Sequence, residues 1–588
     1  MDQANPKSVS AIRPEAGPST YRKGRLSTPL VHLAFIFLCG MFIYCLWLGA
    51  SPLYRTEPFR ALVAHQMVHG SSWLIPHLYG ELYQRKPPLI YWIEGGSELL
   101  AGRWIETLGY EFVWRLPSAL GSALLAVFLA HWAGRWFGDS ARMPTGFACL
   151  ALVAMWDQDR GADIDALNTV FAMLATVCVL ELLCGTRRGT AGWTLGLGIS
   201  LGAALLLKGP GTLPQVIGAI IGPAIAFGNW KFLRRVSVWI GILIGFAIFT
   251  SYIVAAKIAM HRAGIVADKT GWYEIIEKIF LHGWLSRLKA LGLPFQLLIF
   301  SLPVSVVLPF AVMLIRRLPV DNSSRQRAIA ILATLIATLL IWLIDGNDNP
   351  RYEYVMLPLL APLVGFVWMM HERMSAAFSR TLLGVCVLLC GADALVTLKL
   401  PAGIPEHLSV WVGMGLSVLV LIAVIARSLA AKAARQGGNG VVVLLLLFAL
   451  PMAARKNTER RKKSAANASM ALRYAIGSAK RVSAAGVVRD LPELFYYANV
   501  DVDSYGEFGL PKLAATARGH WVVISENEKY PAYSTITKYI PGAFPRGVTR
   551  LPMPTPTDVI YVGWYDPPVD ADTRIEWHVD KPGVEPDE

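Results

Sequence analysis

Runs of about 20 mostly apolar residues recur along this chain, and each is long enough to cross the hydrocarbon core of a bilayer as a helix. They fall at roughly 30–50, 113–134, 142–158, 164–184, 191–207, 210–228, 235–257, 291–315, 327–344, 353–371, 380–399, 406–427 and 438–454, about thirteen in all. Composition agrees: 54% of the 588 residues are hydrophobic and 16% charged, with a mean hydropathy of +0.45. A soluble domain carries about a quarter charged residues, so a single soluble globule is excluded. Nineteen Trp, twenty Tyr and twenty-three Phe exclude a disordered chain.

Charge sets the direction of the first span. Arg22, Lys23 and Arg25 precede it, which places the N-terminus in the cytoplasm by the positive-inside rule. Alternate loops should then be cytoplasmic and basic. They carry Arg135 and Arg142; Arg187 and Arg188; Lys231, Arg234 and Arg235; Arg316, Arg317, Arg325 and Arg327; Arg373 and Arg380; and Arg427, Lys432 and Arg435. The net charge of +14 therefore reads as cytoplasmic loops facing anionic lipid. No zinc-finger spacing or basic, aromatic-rich domain points to nucleic acid. The seven cysteines lie in or at the ends of apolar runs and read as buried apolar side chains.

Residues 88–101 look apolar but are short and contain Glu94 and Glu98. A carboxylate at mid-bilayer costs about 2.5–3.5 kcal/mol, and a span here would turn every later basic loop outward. The stretch reads instead as an interfacial helix on the outer surface, inside an external loop one spanning 51–112. Residues 1–29 read as a disordered cytoplasmic tail and 30–454 as the transmembrane domain. Residues 455–588 hold short β-branched runs such as WVVISE and DVIYVGW, with a helix at DLPELFYYA, and read as an extracytoplasmic α/β domain. Arg455, Lys456, Arg460, Arg461, Lys462 and Lys463, just after the last span, oppose that placement; early helices usually dominate orientation. The fold class is thus an all-α polytopic membrane protein with a small C-terminal α/β domain.

Polar residues gather on the outer face. Loop one carries Tyr54-Arg55-Thr56-Glu57-Pro58-Phe59-Arg60 and later Tyr83-Gln84-Arg85-Lys86-Pro87-Pro88. Between spans three and four lies Asp157-Gln158-Asp159-Arg160-Gly161-Ala162-Asp163-Ile164-Asp165, and Lys208-Gly209-Pro210 and Asn349-Pro350-Arg351-Tyr352 complete the set. Carboxylates and cations sharing one membrane face suit group transfer from a lipid-linked phosphate. Cations at the interface hold the phosphate, and a carboxylate takes the proton of an attacking hydroxyl. Singly, each residue has a plainer reading: Glu57 as a solvated loop acid, Lys208 as a snorkelling lysine, the aspartates as a solvated turn, Arg351 as a headgroup contact. A transporter or flippase would also bury charge among many spans, but it predicts inverted repeats, and no repeat stands out.

RTEPFRALVAHQM, SSWLIPHLYGELYQRKPPLIYW, VWRLPSALGSALL, DRGADIDALNTVF, LLLKGP and PRYEYVMLPLLAPL occur in this order and spacing. The set resembles the polytopic C-type glycosyltransferases that use a polyprenyl-phosphate sugar, nearest the lipid A aminoarabinose transferases and more distantly the protein O-mannosyltransferases. The similarity covers roughly residues 30–370 well. It implies an inverting transferase of the plasma (inner) membrane, with its active site on the extracytoplasmic face and an external lipid, glycan or protein as acceptor.

Carried onto this sequence, the loop-one acid motif, commonly Asp-Glu, falls on Thr56-Glu57, so the acid role falls on Glu57 or another group. Asp165 takes the acidic position of the second external loop. Lys86 matches the lysine that contacts the donor phosphate and Lys208 a second phosphate-side lysine. Arg351 or Tyr352 matches a basic-aromatic site. The resemblance therefore implies Glu57 and Asp165 as catalytic, with Lys86, Lys208, Arg351, Tyr352, Asp163 and Tyr83 as substrate-binding. In the aminoarabinose branch a Glu before the lysine helps hold a divalent metal. Here that residue is Arg85, so no cofactor is carried over. An inactive relative that binds the polyprenyl lipid is the alternative that Thr56 and Arg85 motivate.

Overall fold

A computed structural model describes residues 29–152, 160–185, 189–265, 291–345, 350–370, 466–485, 491–504, 510–526, 532–551 and 559–568. The spans expected at 380–399, 406–427 and 438–454 lie outside the described residues, as do Asp157, Gln158 and Asp159.

The described chain is mostly helical. Helix α1 (Pro29–Cys45) leads into loop one, which holds α2 (Glu57–Val68), a two-strand ribbon of β1 (His77–Leu78) and β2 (Glu81–Leu82), α3 (Leu89–Ala101) and the single turn α4 (Ile105–Leu108). Then follow α5 (Tyr110–Phe137), α6 (Arg142–Leu150), α7 (Ile164–Cys184), α8 (Thr190–Lys208), α9 (Leu213–Ala226) and α10 (Val236–Arg262). The apolar part closes with α11 (Leu293–Phe300), α12 (Val307–Arg317), α13 (Ser323–Asp345) and α14 (Leu360–Met370). Among the described residues, five helical stretches are long and apolar enough to cross a membrane, or six with a bent pair counted as one span.

Two expected spans take a different form. The run at 291–315 breaks into Leu293–Phe300 and Val304–Arg317, bent by 106° around a break containing Pro303. Proline has no N–H for the helix ladder and crowds the preceding turn. The run at 353–371 starts as a 3-10 helix, Pro350–Leu359, before α14. Thr190–Ala226 is continuous in hydropathy, but Gly209, at φ +70, turns the chain after Lys208. Glycine takes that conformation without the Cβ clash other residues meet. The return helix α9 then shares a core with α7, through Val216, Ala219 and Ile220 beside Ala175 and Val179.

Helices α8 and α10 meet through small residues. A Cβ on Gly198 would come within 2.6 Å of Ile244, and one on Gly241 within 2.8 Å of Leu197. Close backbone approach of this kind supplies the dispersion contact that holds helices together where lipid removes the hydrophobic drive.

The helix expected at 88–101 forms as α3. Its Ile90, Tyr91, Glu94 and Glu98 face the protein, while Leu99 and Leu100 are exposed. Residues 466–568 contain a five-stranded sheet in the order β4-β3-β5-β7-β6, where β3 is Arg481–Ala485, β4 Asp501–Ser504, β5 His520–Glu526, β6 Val548–Arg550 and β7 Val559–Tyr565. Strand β3 pairs parallel with β4 and β5; β7 pairs antiparallel with β5 and β6.

This sheet unit docks on loop one. Leu53, Val63, Tyr91 and Trp114 share one apolar core with Leu472, Phe495, Val523 and Val562. Tyr497 accepts from the Leu53 N–H (2.7 Å) and donates to Glu111 (3.0 Å), and Tyr79 donates to the Pro492 carbonyl (3.0 Å). Loop one and the sheet unit therefore cap the same end of the helical bundle.

Candidate active site

That end is where α1 stops, α5 and α7 start and α8 turns into α9. Thr56 occupies the N-cap position of α2, yet its hydroxyl does not cap the helix; it donates to the carboxylate of Asp163. Asp163 caps α7 instead, its Oδ1 accepting the Ile164 N–H at 2.8 Å. Carboxylates are favoured at helix N-termini, where unpaired N–H groups carry partial positive charge.

Glu57, the acid expected to take the proton, has both carboxylate oxygens engaged. Its Oε1 accepts from Arg115 Nε (2.9 Å) and the Ala162 N–H (3.0 Å). Its Oε2 accepts from Arg115 Nη2 (2.8 Å) and the Tyr54 N–H (2.9 Å). Arg115, fully buried, also donates to the carbonyls of Leu48 (2.9 Å), Ser51 (2.7 Å) and Pro52 (2.9 Å). A bidentate pair with both oxygens occupied is a clasp. It pins the link between α1 and α2 to α5 and to the loop before α7.

The cations surround the aspartates. Lys208 Nζ lies 2.6 Å from Asp165 Oδ1, joining the end of α8 to the first turn of α7. Arg60, one turn into α2, donates to the Tyr83 hydroxyl (2.8 Å) and lies 3.8 Å from Asp163. Burial, together with the nearby charges of Arg60 and Lys208, pulls the Lys86 ammonium down to about 8, against the opposing pull of Asp165 and Asp163. Lys86 also lines a groove whose wall is apolar, formed by Leu74, Ile75, Tyr252 and Ala256. The structure thus brings Glu57, Lys86, Asp163, Asp165, Lys208 and Tyr83 to one place. Arg351 and Tyr352 stand at the start of the 3-10 helix Pro350–Leu359.

A family model described as dolichyl-phosphate-mannose-protein mannosyltransferase matches residues 85–254. The undecaprenyl phosphate-alpha-4-amino-4-deoxy-L-arabinose arabinosyl transferase of Enterobacter sp. (strain 638) is 25% identical over 203 residues, 34% of this chain and 35% of that protein. The enzyme of that name from Pseudomonas aeruginosa (strain PAO1) is 29% identical over 194 residues, 32% of each chain. These matches span only about a third of the relatives' length. The crystal structure of ArnT from Cupriavidus metallidurans bound to undecaprenyl phosphate superposes with a TM-score of 0.68 at 18% identity, covering 91% of this chain and 97% of that one. The chain has the ArnT fold. Its resemblance to the C-type glycosyltransferases, nearest the ArnT branch, is carried by sequence and structure alike.

Two positions separate this chain from the motif expected of ArnT-like proteins. At position 56 a hydroxyl replaces a carboxylate, and the group hydrogen-bonded to it is Asp163. At position 85 stands an exposed guanidinium, next to the Lys86 ammonium. Two adjacent cations in place of a carboxylate ligand do not fit a divalent metal.

Three buried charged residues near this cluster were not assigned a site role from sequence. Arg60 sits one turn after Glu57 on α2, and Arg115 is a lone charge in an apolar run, a pattern that marks a specific role at membrane depth. Glu94 is 1% exposed, and neither of its carboxylate oxygens has a hydrogen-bond partner among the described residues. Burial first, then the charge of Asp163, pushes its carboxyl well above the usual range, against the pull of Arg60. No periodicity could separate this inward acid from a solvated one.

Proposed function

We propose that this protein is an integral membrane glycosyltransferase that moves a sugar from a polyprenyl phosphate to a hydroxyl on an external lipid, glycan or protein. The observation that carries this reading is the ring of Lys86, Arg60 and Lys208 around Asp163 and Asp165, beside an apolar groove at one end of the bundle. The cations take the donor phosphate, and the apolar side chains of Leu74, Ile75, Tyr252 and Ala256 beside Lys86 are assigned to the start of the lipid. The acceptor oxygen attacks the anomeric carbon as the bond to the phosphate oxygen breaks. That electron pair leaves with the polyprenyl phosphate, and configuration at the carbon inverts. The proton of the acceptor passes to a carboxylate, and we assign this role to Asp163. Of the three paired acids at this site it is the most open, 14% exposed against 8% for Asp165 and 5% for Glu57. Asp165 holds Lys208, and Glu57 holds the loop. Arg351 and Tyr352 are assigned to the substrate as well.

The same reading keeps about thirteen spans and an extracytoplasmic sheet domain. Basic Arg135, close to Glu181 at 3.9 Å, lies at the opposite end of the bundle from Lys208, as expected of the cytoplasmic side. Incubating the purified chain and membrane extract with labelled polyprenyl-phosphate sugars tests the proposal. Label should move to an extractable acceptor with wild type and not with Asp163→Asn. Tight binding of undecaprenyl phosphate with no transfer of any sugar would make the protein a lipid-binding relative instead.

A further inference from the structure

Helix α2 carries a second polar group at its other end, about 12 Å along the axis from Glu57 at 1.5 Å per residue. His65 and His69, four residues apart, project from the same face. His65 Nδ1 lies 2.9 Å, and His69 Nε2 3.2 Å, from the same oxygen of Glu98 on α3. The three ligand atoms all lie within 4.8 Å of one another. The second Glu98 oxygen accepts from Trp114 Nε1 at 2.8 Å, so the carboxylate is oriented from behind.

Two imidazole nitrogens aimed at one carboxylate oxygen form the donor set that borderline cations favour. Zinc takes nitrogen at about 2.0–2.1 Å and carboxylate oxygen at about 2.0–2.2 Å. Tetrahedral ligands at those lengths stand about 3.3 Å apart, close to the two separations seen here. Glu98 is 3% exposed and His69 57%, which leaves a fourth position facing solvent and an entry path. The Trp114 bond is the outer-shell support such carboxylates use. None of these residues takes part in the proposed transfer, and Lys86 and Arg85 lie elsewhere in loop one.

From this geometry we infer that His65, His69 and Glu98 bind one divalent transition-metal ion of the zinc class, stapling α2 to α3. The staple sits where the sheet unit docks: the Tyr496 ring lies 6.2 Å from His65 and 5.8 Å from Trp114. Bound metal would therefore stiffen the platform that carries both Arg60 and the sheet contact.

The test uses the full chain in detergent, purified through a tag without histidines, stripped with chelator and reloaded with zinc or cobalt. Wild type should retain one equivalent of zinc per chain after gel filtration. Cobalt should give the intense visible absorption of a tetrahedral site, bleached by added zinc. His69→Ala, at an exposed position expected to fold normally, should lower zinc affinity at least tenfold, and His65→Ala/His69→Ala should reduce retained zinc to background. Wild type that retains no more zinc than the double variant, or whose cobalt spectrum is that of hexa-aqua ion, overturns the site and leaves a hydrogen-bonded cluster. The cobalt spectrum needs wild type alone, so a variant that fails to fold does not spare the inference.

Discussion

Lys86 makes the sharpest demand on the proposed donor site. Its ammonium is pulled to about 8 by burial and by Arg60 and Lys208. It is thus about 90% charged at pH 7 and about 10% charged at pH 9, since each pH unit past the midpoint changes the ratio tenfold. A phosphate monoester loses its second proton near pH 6, so undecaprenyl phosphate is a dianion throughout that interval. Any change in its binding then reports on the protein. Affinity should fall close to tenfold between pH 7 and 9, roughly 1.4 kcal/mol. The sign follows from the direction of the shift: a lowered lysine is cationic below its midpoint and neutral above it, and phosphate binding takes up a proton in the upper range. Calorimetric titration of the full chain in detergent reads both the affinity and, through buffers of different ionisation enthalpy, the proton uptake. Lys86→Arg keeps the charge at all these pH values and should flatten the profile. A flat wild-type profile with no proton uptake, or a Lys86→Arg profile as steep as wild type, would refute the placement of Lys86 against the phosphate.

The Glu57–Arg115 clasp predicts loss of stability on breaking it. Arg115→Met leaves a buried carboxylate unpaired and should cost about 3–5 kcal/mol, seen as a lower melting temperature in detergent. Part should return in Glu57→Gln/Arg115→Met. Glu57→Gln that melts like wild type yet has lost turnover would restore Glu57 to the role of proton acceptor. Asp163→Asn should lower turnover by about 10²–10⁴-fold while undecaprenyl phosphate still binds; turnover within a factor of a few of wild type would remove Asp163 from the chemistry. With burial pushing the Glu94 carboxyl well above its usual range, Glu94→Gln should leave melting and turnover near wild type, and a large fall in turnover would show that its ionised form is used.

The apolar runs were readable because lipid imposes a length and a composition on any segment that crosses it. Boundaries of α5, α7, α8 and α13 lie within a few residues of the hydropathy reading. The break between Leu293–Phe300 and Val304–Arg317 was not visible, because Pro303 sits inside an unbroken apolar stretch. Motif order placed Lys86, Asp165 and Lys208 together, and the structure brings them to one end of the bundle. What residue identity could not supply was the pairing. Whether a carboxylate is a base or a clasp depends on which donors reach its oxygens, and those come from remote segments: Arg115 and Ala162 for Glu57, Thr56 and Arg60 for Asp163.

Sequence alone therefore determined that the chain is a helical membrane protein with a polar stretch and a short separate helix between its first long apolar runs, since those properties follow from local hydropathy and charge. Only the tertiary structure decided which donors reach which acids, that Glu94 is buried with no hydrogen-bond partner among the described residues, and that His65, His69 and Glu98 converge. Burial and hydrogen bonding are properties of a position in space, and residues far apart along the chain share that position only after the helices have packed.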